Sequence, residues 1–165
     1  MSVNESRVRF PPELLPSICP VYSYNEIVAP VPAERVWAAL IRAELWPTWY
    51  PHCKRLKFES GSGPDLALGT RFSWTTLGVR VTTVVEEFEP PHRLAWRGGG
   101  AGSAGYHGWV IEPRDGGCLV VTEEAQRGLV SSLARLFLRR ALLHVHQQWL
   151  ERLVAVSKSP VSGDR

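Results

Sequence analysis

Leu129–Ser157 reads LVSSLARLFLRRALLHVHQQWLERLVAVS, close to thirty residues with neither proline nor glycine. Nothing in it interrupts a helix. Phe137, Leu138, Ala141, Leu142, Val145, Trp149, Leu153 and Val156 recur at helical spacing and make one apolar stripe. Leu136, Leu143 and Leu150, each seven apart, lie on roughly the opposite side. A helix that is apolar on two sides touches two things. One is a sheet. The other is the N-terminal arm, a partner subunit, or only solvent around scattered leucines.

The sheet lies upstream. Lys54–Glu59, Thr70–Leu77, Val79–Phe88, Arg93–Arg97, Tyr106–Glu112 and Cys118–Glu124 read as strands from their β-branched and aromatic content and their period-two alternation. Short turns join them, Pro113-Arg114-Asp115-Gly116-Gly117 among them, and short turns imply an antiparallel meander. Before these six, Val21–Val28 is a first strand ended by Pro30 and Pro32. A helix over 33–41 follows, with Val36, Trp37, Leu40 and Ile41 at helical spacing, and a short helical turn runs from Glu44 to Trp49. The fold class is therefore α+β: a curved antiparallel sheet of about seven strands, ordered β-α-α-β6-α, wrapped around a long C-terminal helix. Such a sheet encloses side chains or a cavity on its concave side.

Length and composition agree. A chain of 165 residues and 18.5 kDa, 44% apolar and 21% charged, is one domain able to bury a core without disulfides or metal. Residues 1–19, with Pro11, Pro12 and Pro16, read as an extended arm; 20–157 form the domain; 158–165 are a polar tail. The net charge of +3 is too small to signal nucleic-acid binding, and the basic residues toward the C-terminus read as a solvated helix face. Three scattered cysteines without a CxxC argue against a disulfide framework or a zinc site. There is no signal peptide and no transmembrane run, so the expected compartment is the cytoplasm.

Local sequence also carries a resemblance. IVAPVPAERVWAALIRAELWPTWYP, VVEEFEPPHRLAW and YHGWVIEPRDGGCLVVTEEAQRG resemble the opening strand and helix, the Pro-Pro turn and the following hairpin of the START-like superfamily, also called SRPBCC or Bet v1-like. The likeness is to bacterial members of the polyketide cyclase/dehydrase type and spans about residues 21–157. It implies the helix-grip fold. For activity it implies only that some apolar molecule is bound, carried or transformed, because fold does not give function.

Several motifs touch on chemistry. Gly100-Ala101-Gly102-Ser103-Ala104-Gly105 is a literal GxGxxG, but a strand follows it rather than the helix that would hold a pyrophosphate. It reads as a flexible strand connection near the cavity mouth. His144 and His146 are two apart on a helix and diverge, and His52-Cys53 has no third ligand, so no metal and no cofactor are expected. No GxSxG or cysteine motif supplies a nucleophile. His107 shares a strand face with Trp109 and Ile111, where a carboxylate of the adjacent Glu123-Glu124 pair would make it a proton shuttle. The register reading favours Glu123, so His107 and Glu123 are the catalytic candidates. The expected pocket lining is Trp46, Trp49, Tyr50, Phe72, Trp74, Trp96, Trp109, Val121, Leu138, Leu142 and Trp149.

The leading expectation is a monomer or homodimer that binds a lipid, polyketide or isoprenoid-like molecule between sheet and helix, with no nucleic-acid partner. The first alternative is an aromatase/cyclase-type enzyme working by acid–base catalysis. The second is an interaction protein acting through its surface.

Overall fold

The computed structural model describes residues 6–59, 61–100 and 102–159. Seven strands form one antiparallel sheet: β1 (Val21–Ala29), β2 (Lys54–Phe58), β3 (Arg71–Thr76), β4 (Val79–Glu89), β5 (Arg93–Gly100), β6 (Ser103–Arg114) and β7 (Gly117–Gly128). Their spatial order is β1-β7-β6-β5-β4-β3-β2, so the first strand pairs with the last and the rest run as a meander. Helices α1 (Ala33–Ile41) and α2 (Trp46–Trp49) fill the connection from β1 to β2. Two helices follow β7: α3 (Leu129–Leu133) and α4 (Arg135–Lys158). This is the helix-grip architecture, with α4 packed against β1 and α1.

The terminal helix is not continuous. Ala134 (φ −103°, ψ 19°) leaves the helical region and separates α3 from α4. Neither proline nor glycine marks the break. It falls where the chain turns from the end of β7 onto the concave face, and Leu129, Leu133, Leu136 and Phe137 around it are exposed. The two-sided apolar character of the sequence is therefore split. Leu150 is fully buried, whereas Leu136 stands in solvent.

The sheet has two covered faces. The concave face holds the main core, where tryptophans interlock. Trp46 sits 5.1 Å from Trp149, 5.7 Å from Trp96 and 6.2 Å from Trp74, ring centre to ring centre. Its indole N–H donates to the Leu40 carbonyl at 2.9 Å.

The convex face is covered by the proline-containing N-terminal segment. Val8, Phe10 and Leu14 pack there on Ala95, Tyr106, Val110, Leu119 and Val121. Gly108 admits this segment, because a Cβ there would come within 2.4 Å of the Val8 side chain. The remaining arm residues 1–5 and tail residues 160–165 lie outside the described residues.

The glycine-rich stretch differs from its reading as a loop. Gly98–Gly100 end β5 and Ser103–Gly105 begin β6, paired to each other; Gly102 sits in the turn, and Ala101 is outside the described residues. Close approach explains the composition. A Cβ on Gly100 would lie 2.2 Å from the Arg80 carbonyl oxygen of β4.

Candidate functional site

Tryptophans fill one end of the concave groove and glycines empty the other. Between them lies a cavity of about 160 Å³. Its sheet wall is Trp74, Val81 and Trp96 with the bare backbone of Gly98, Gly99, Gly100 and Gly105; its helix wall includes Leu138, Leu142, Val145 and Trp149. Tyr50 closes the inner end, its ring stacked 4.3 Å from Trp149. Leu77, Val130 and Phe137 rim the mouth and are themselves exposed.

Six of the eleven predicted lining residues line this cavity: Tyr50, Trp74, Trp96, Leu138, Leu142 and Trp149. Trp46, Phe72 and Trp109 belong to the solid core, and Trp49 is half-buried against it. Val121 is on the other side of the sheet, beneath the N-terminal segment. Alternation along β7 sends it there.

The same alternation corrects the carboxylate. In the β6–β7 register His107 is opposite Glu124, while Glu123 is opposite Gly108 and faces the convex side. Glu123 is buried and clips the arm. It accepts from Ser6 Oγ at 2.8 Å, from the backbone N–H of Arg7 at 2.7 Å and of Val8 at 3.1 Å, and from the Tyr22 hydroxyl at 2.6 Å. Glu124 faces the cavity beside His107.

A third polar residue joins them from α4. His146 Nε2 is 3.1 Å from Glu124 Oε2, and His107 Nδ1 is 3.4 Å from the same oxygen. Each group is braced from behind. Gln126 donates to Glu124 Oε1 at 2.6 Å. Ser23 Oγ lies 3.1 Å from His146 Nδ1. Thr122 Oγ1 lies 2.7 Å from His107 Nε2 and 3.2 Å from the Gly108 carbonyl oxygen. His107 therefore turns Nε2 to Thr122 and Nδ1 to Glu124.

Burial sets the charge states. Loss of solvent, helped by the nearby His146, pushes His107 down to about 3, so its ring is neutral. Burial alone would raise the Glu124 carboxyl, but the His146 hydrogen bond and the neighbouring imidazoles hold it down to about 2. A neutral imidazole lone pair and an ionised carboxylate thus share one side of an apolar hollow. The ligating atoms of His107, Glu124 and His146 all lie within 4.8 Å of one another.

His146 escaped the sequence reading because it was judged only against His144. A signal was present. His146 stands four residues after Leu142 and three before Trp149, on the buried stripe of α4, where a polar side chain calls for a partner.

A family described as "Polyketide cyclase / dehydrase and lipid transport" matches residues 23–158. The chain belongs to this family. Among solved structures it is similar to hypothetical protein jhp0584 from Helicobacter pylori, at 29% identity over 96% of this chain and 100% of that one, with a TM-score of 0.85. It also resembles the di-domain ARO/CYC StfQ from the steffimycin biosynthetic pathway, at 18% identity over 84% of this chain and 51% of that one, TM-score 0.67. A third likeness, to Ara h 8.0201, is 14% identical over 81% and 97% of the two chains, TM-score 0.60. The last two show the fold alone. The sequence has no match among curated proteins. Among the described residues of this polyketide cyclase-family chain, no helix is long and apolar enough to cross a membrane.

Proposed function

We propose that this polyketide cyclase-family protein takes a hydrophobic small molecule into the cavity and holds its polar end against His107, Glu124 and His146. The observation that carries this is an apolar hollow, open at its mouth, with one braced polar cluster in its wall. Size narrows the class. A hollow of about 160 Å³ compares with engineered cavities of roughly 150 Å³ that accept benzene. One ring fits inside, and the rest of a polyketide, isoprenoid or lipid-like chain extends through the mouth between Leu77, Val130 and Phe137. The indole N–H of Trp149, buried without a partner in the cavity wall, favours a ligand carrying an oxygen acceptor.

A second reading, acid–base catalysis of the cyclase or dehydratase type, is favoured by the convergence of His107 with a carboxylate. The lone pair on His107 Nδ1 takes an acidic proton from a carbonyl-bearing ligand. His146 Nε2–H donates to the oxygen on which charge develops. Glu124, ionised beside both rings, offsets the positive charge that His107 gains. The ARO/CYC description of StfQ, on a similar fold, is consistent with this chemistry.

Native mass spectrometry of protein purified from its own source tests the first reading: an apolar molecule should co-purify and be displaced by one-ring phenolic ketones. Quenching of Trp74, Trp96 and Trp149 fluorescence by those ketones reports uptake. His107→Ala separates the readings. An enzyme loses turnover of the identified ligand and keeps uptake, whereas unchanged product formation refutes the catalytic reading. Absence of both a co-purified molecule and any quenching refutes the binding reading.

A further inference from the structure

Three possible ligand atoms converge in the cluster, from β6, β7 and α4. His107 Nδ1 points at Glu124 Oε2 from 3.4 Å, and Thr122 can hold the ring by accepting from Nε2–H while Nδ1 serves as a ligand. His146 Nε2 closes the third side of the same space. We propose that His107 Nδ1, His146 Nε2 and Glu124 Oε2 bind one divalent transition-metal ion, with zinc(II) and iron(II) as the cations this donor set suits.

The spacing agrees. Bonds of about 2.0–2.2 Å at tetrahedral angles put neighbouring ligand atoms about 3.3–3.6 Å apart. The two edges that meet at Glu124 Oε2 measure 3.4 and 3.1 Å, and the third is within 4.8 Å. A small inward swing of the imidazoles completes the triangle. Two imidazoles and a carboxylate form the donor set of catalytic zinc and of non-haem iron, and they are a poor match for calcium or magnesium, which take oxygen ligands.

The outer partners are those a metal site needs. A ligating histidine holds its other ring nitrogen in a hydrogen bond that fixes tautomer and orientation. Thr122 does this for His107, Ser23 for His146, and Gln126 steadies the free oxygen of Glu124. Ser23 is buried on β1, and its hydroxyl can accept from His146 Nδ1–H once Nε2 is given to the metal. Three protein ligands leave a coordination position open, and the cavity lies on that side. There the cation would polarise a ligand oxygen as a Lewis acid. The site itself stands on the ligand atoms alone and does not depend on which organic molecule the cavity accepts.

The test uses the full chain, free of any affinity tag and stripped of metal by a chelator. Equilibrium dialysis against zinc(II), followed by elemental analysis, should give about one equivalent per chain. Cobalt(II) as a probe should give a visible d–d absorption band. Glu124→Gln, which is nearly isosteric, should weaken zinc binding at least about 100-fold, and Ser23→Ala about 10-fold or more. His144→Ala, exposed on the same helix, should change nothing. Where His107→Ala or His146→Ala fails to fold, Glu124→Gln and Ser23→Ala with wild-type melting curves decide. Zinc content below a tenth of an equivalent overturns the site. So does zinc binding that survives Glu124→Gln. Metal-free protein that still takes up phenolic ketones leaves the proposed function standing, so the two ideas fail separately.

Discussion

Replacing Glu123 by alanine removes one carboxylate that accepts from Ser6, Arg7, Val8 and Tyr22. Hydrogen bonds to a charged acceptor contribute about 1.5–3 kcal/mol each, so simple addition would give roughly 6–12 kcal/mol. The full sum is not expected, because the arm can lift and return Ser6, Arg7 and Val8 to water. What is then lost is the arm's docking. Burial of Val8 and Leu14 contributes about 1.5–3 kcal/mol each, and the half-exposed Arg7–Glu112 pair about 0.2–1 kcal/mol. Chain entropy regained by the freed arm offsets part of this. Removing the charged partner from a buried network of this kind places the net cost near about 3 kcal/mol. For a chain of this length each kcal/mol moves the melting temperature by about 2–4 °C, so thermal denaturation should show a fall of about 6–12 °C. Trypsin should then cut at Arg7 and Arg9 in the folded variant and spare them in the parent. Cavity uptake, read by tryptophan quenching, should be unchanged, because Glu123 faces the convex side. Glu124→Ala should do the reverse, keeping the arm protected and disturbing the cavity. Loss of uptake in Glu123→Ala with the arm still protected would refute this division of β7 into two faces.

Other perturbations follow from the same coordinates. Leu142→Trp should fill the cavity and abolish uptake at a cost of about 1–3 kcal/mol, checked by fluorescence titration and melting. Trp46→Ala should cost about 3–5 kcal/mol in denaturant unfolding, because it empties the centre of the tryptophan cluster. Gly100→Ala forces β4 and β5 apart to relieve a 2.2 Å approach and should lower stability by about 1–3 kcal/mol, with hydrogen exchange rising along the β5–β6 hairpin. Burial pushes the Cys53 thiol up to about 12 and also raises Cys118. Both should resist a disulfide reagent in folded protein, leaving the half-buried Cys19 to react first.

The strand order and the terminal helix were legible because alternation and helical spacing are written in large apolar residues such as Phe72, Trp74, Leu142 and Trp149. The carboxylate was not read correctly, because both faces of β7 are covered. Leu119 and Val121 on one side and Cys118 and Val120 on the other are all buried, so polarity does not say which face is inside. The turn does. Asp115-Gly116 is a two-residue hairpin, which pairs Arg114 with Gly117. Counting back in step from that pair puts His107 opposite Glu124. The break at Ala134 had no such marker, since tertiary direction rather than a helix-breaking residue ends α3. The lining list overreached for a related reason. Aromatic residues name the interior, but which of them pack and which border empty space depends on the glycines beside them.

Those glycines also bear on how such a pocket can diverge. One wall is main chain along Gly98–Gly100 and Gly105, and main chain offers few handles for discrimination and little room for substitution. A change of ligand preference must therefore be written on the opposing helix, at positions such as Leu138, Leu142 and Val145, leaving the strand side as a fixed anvil.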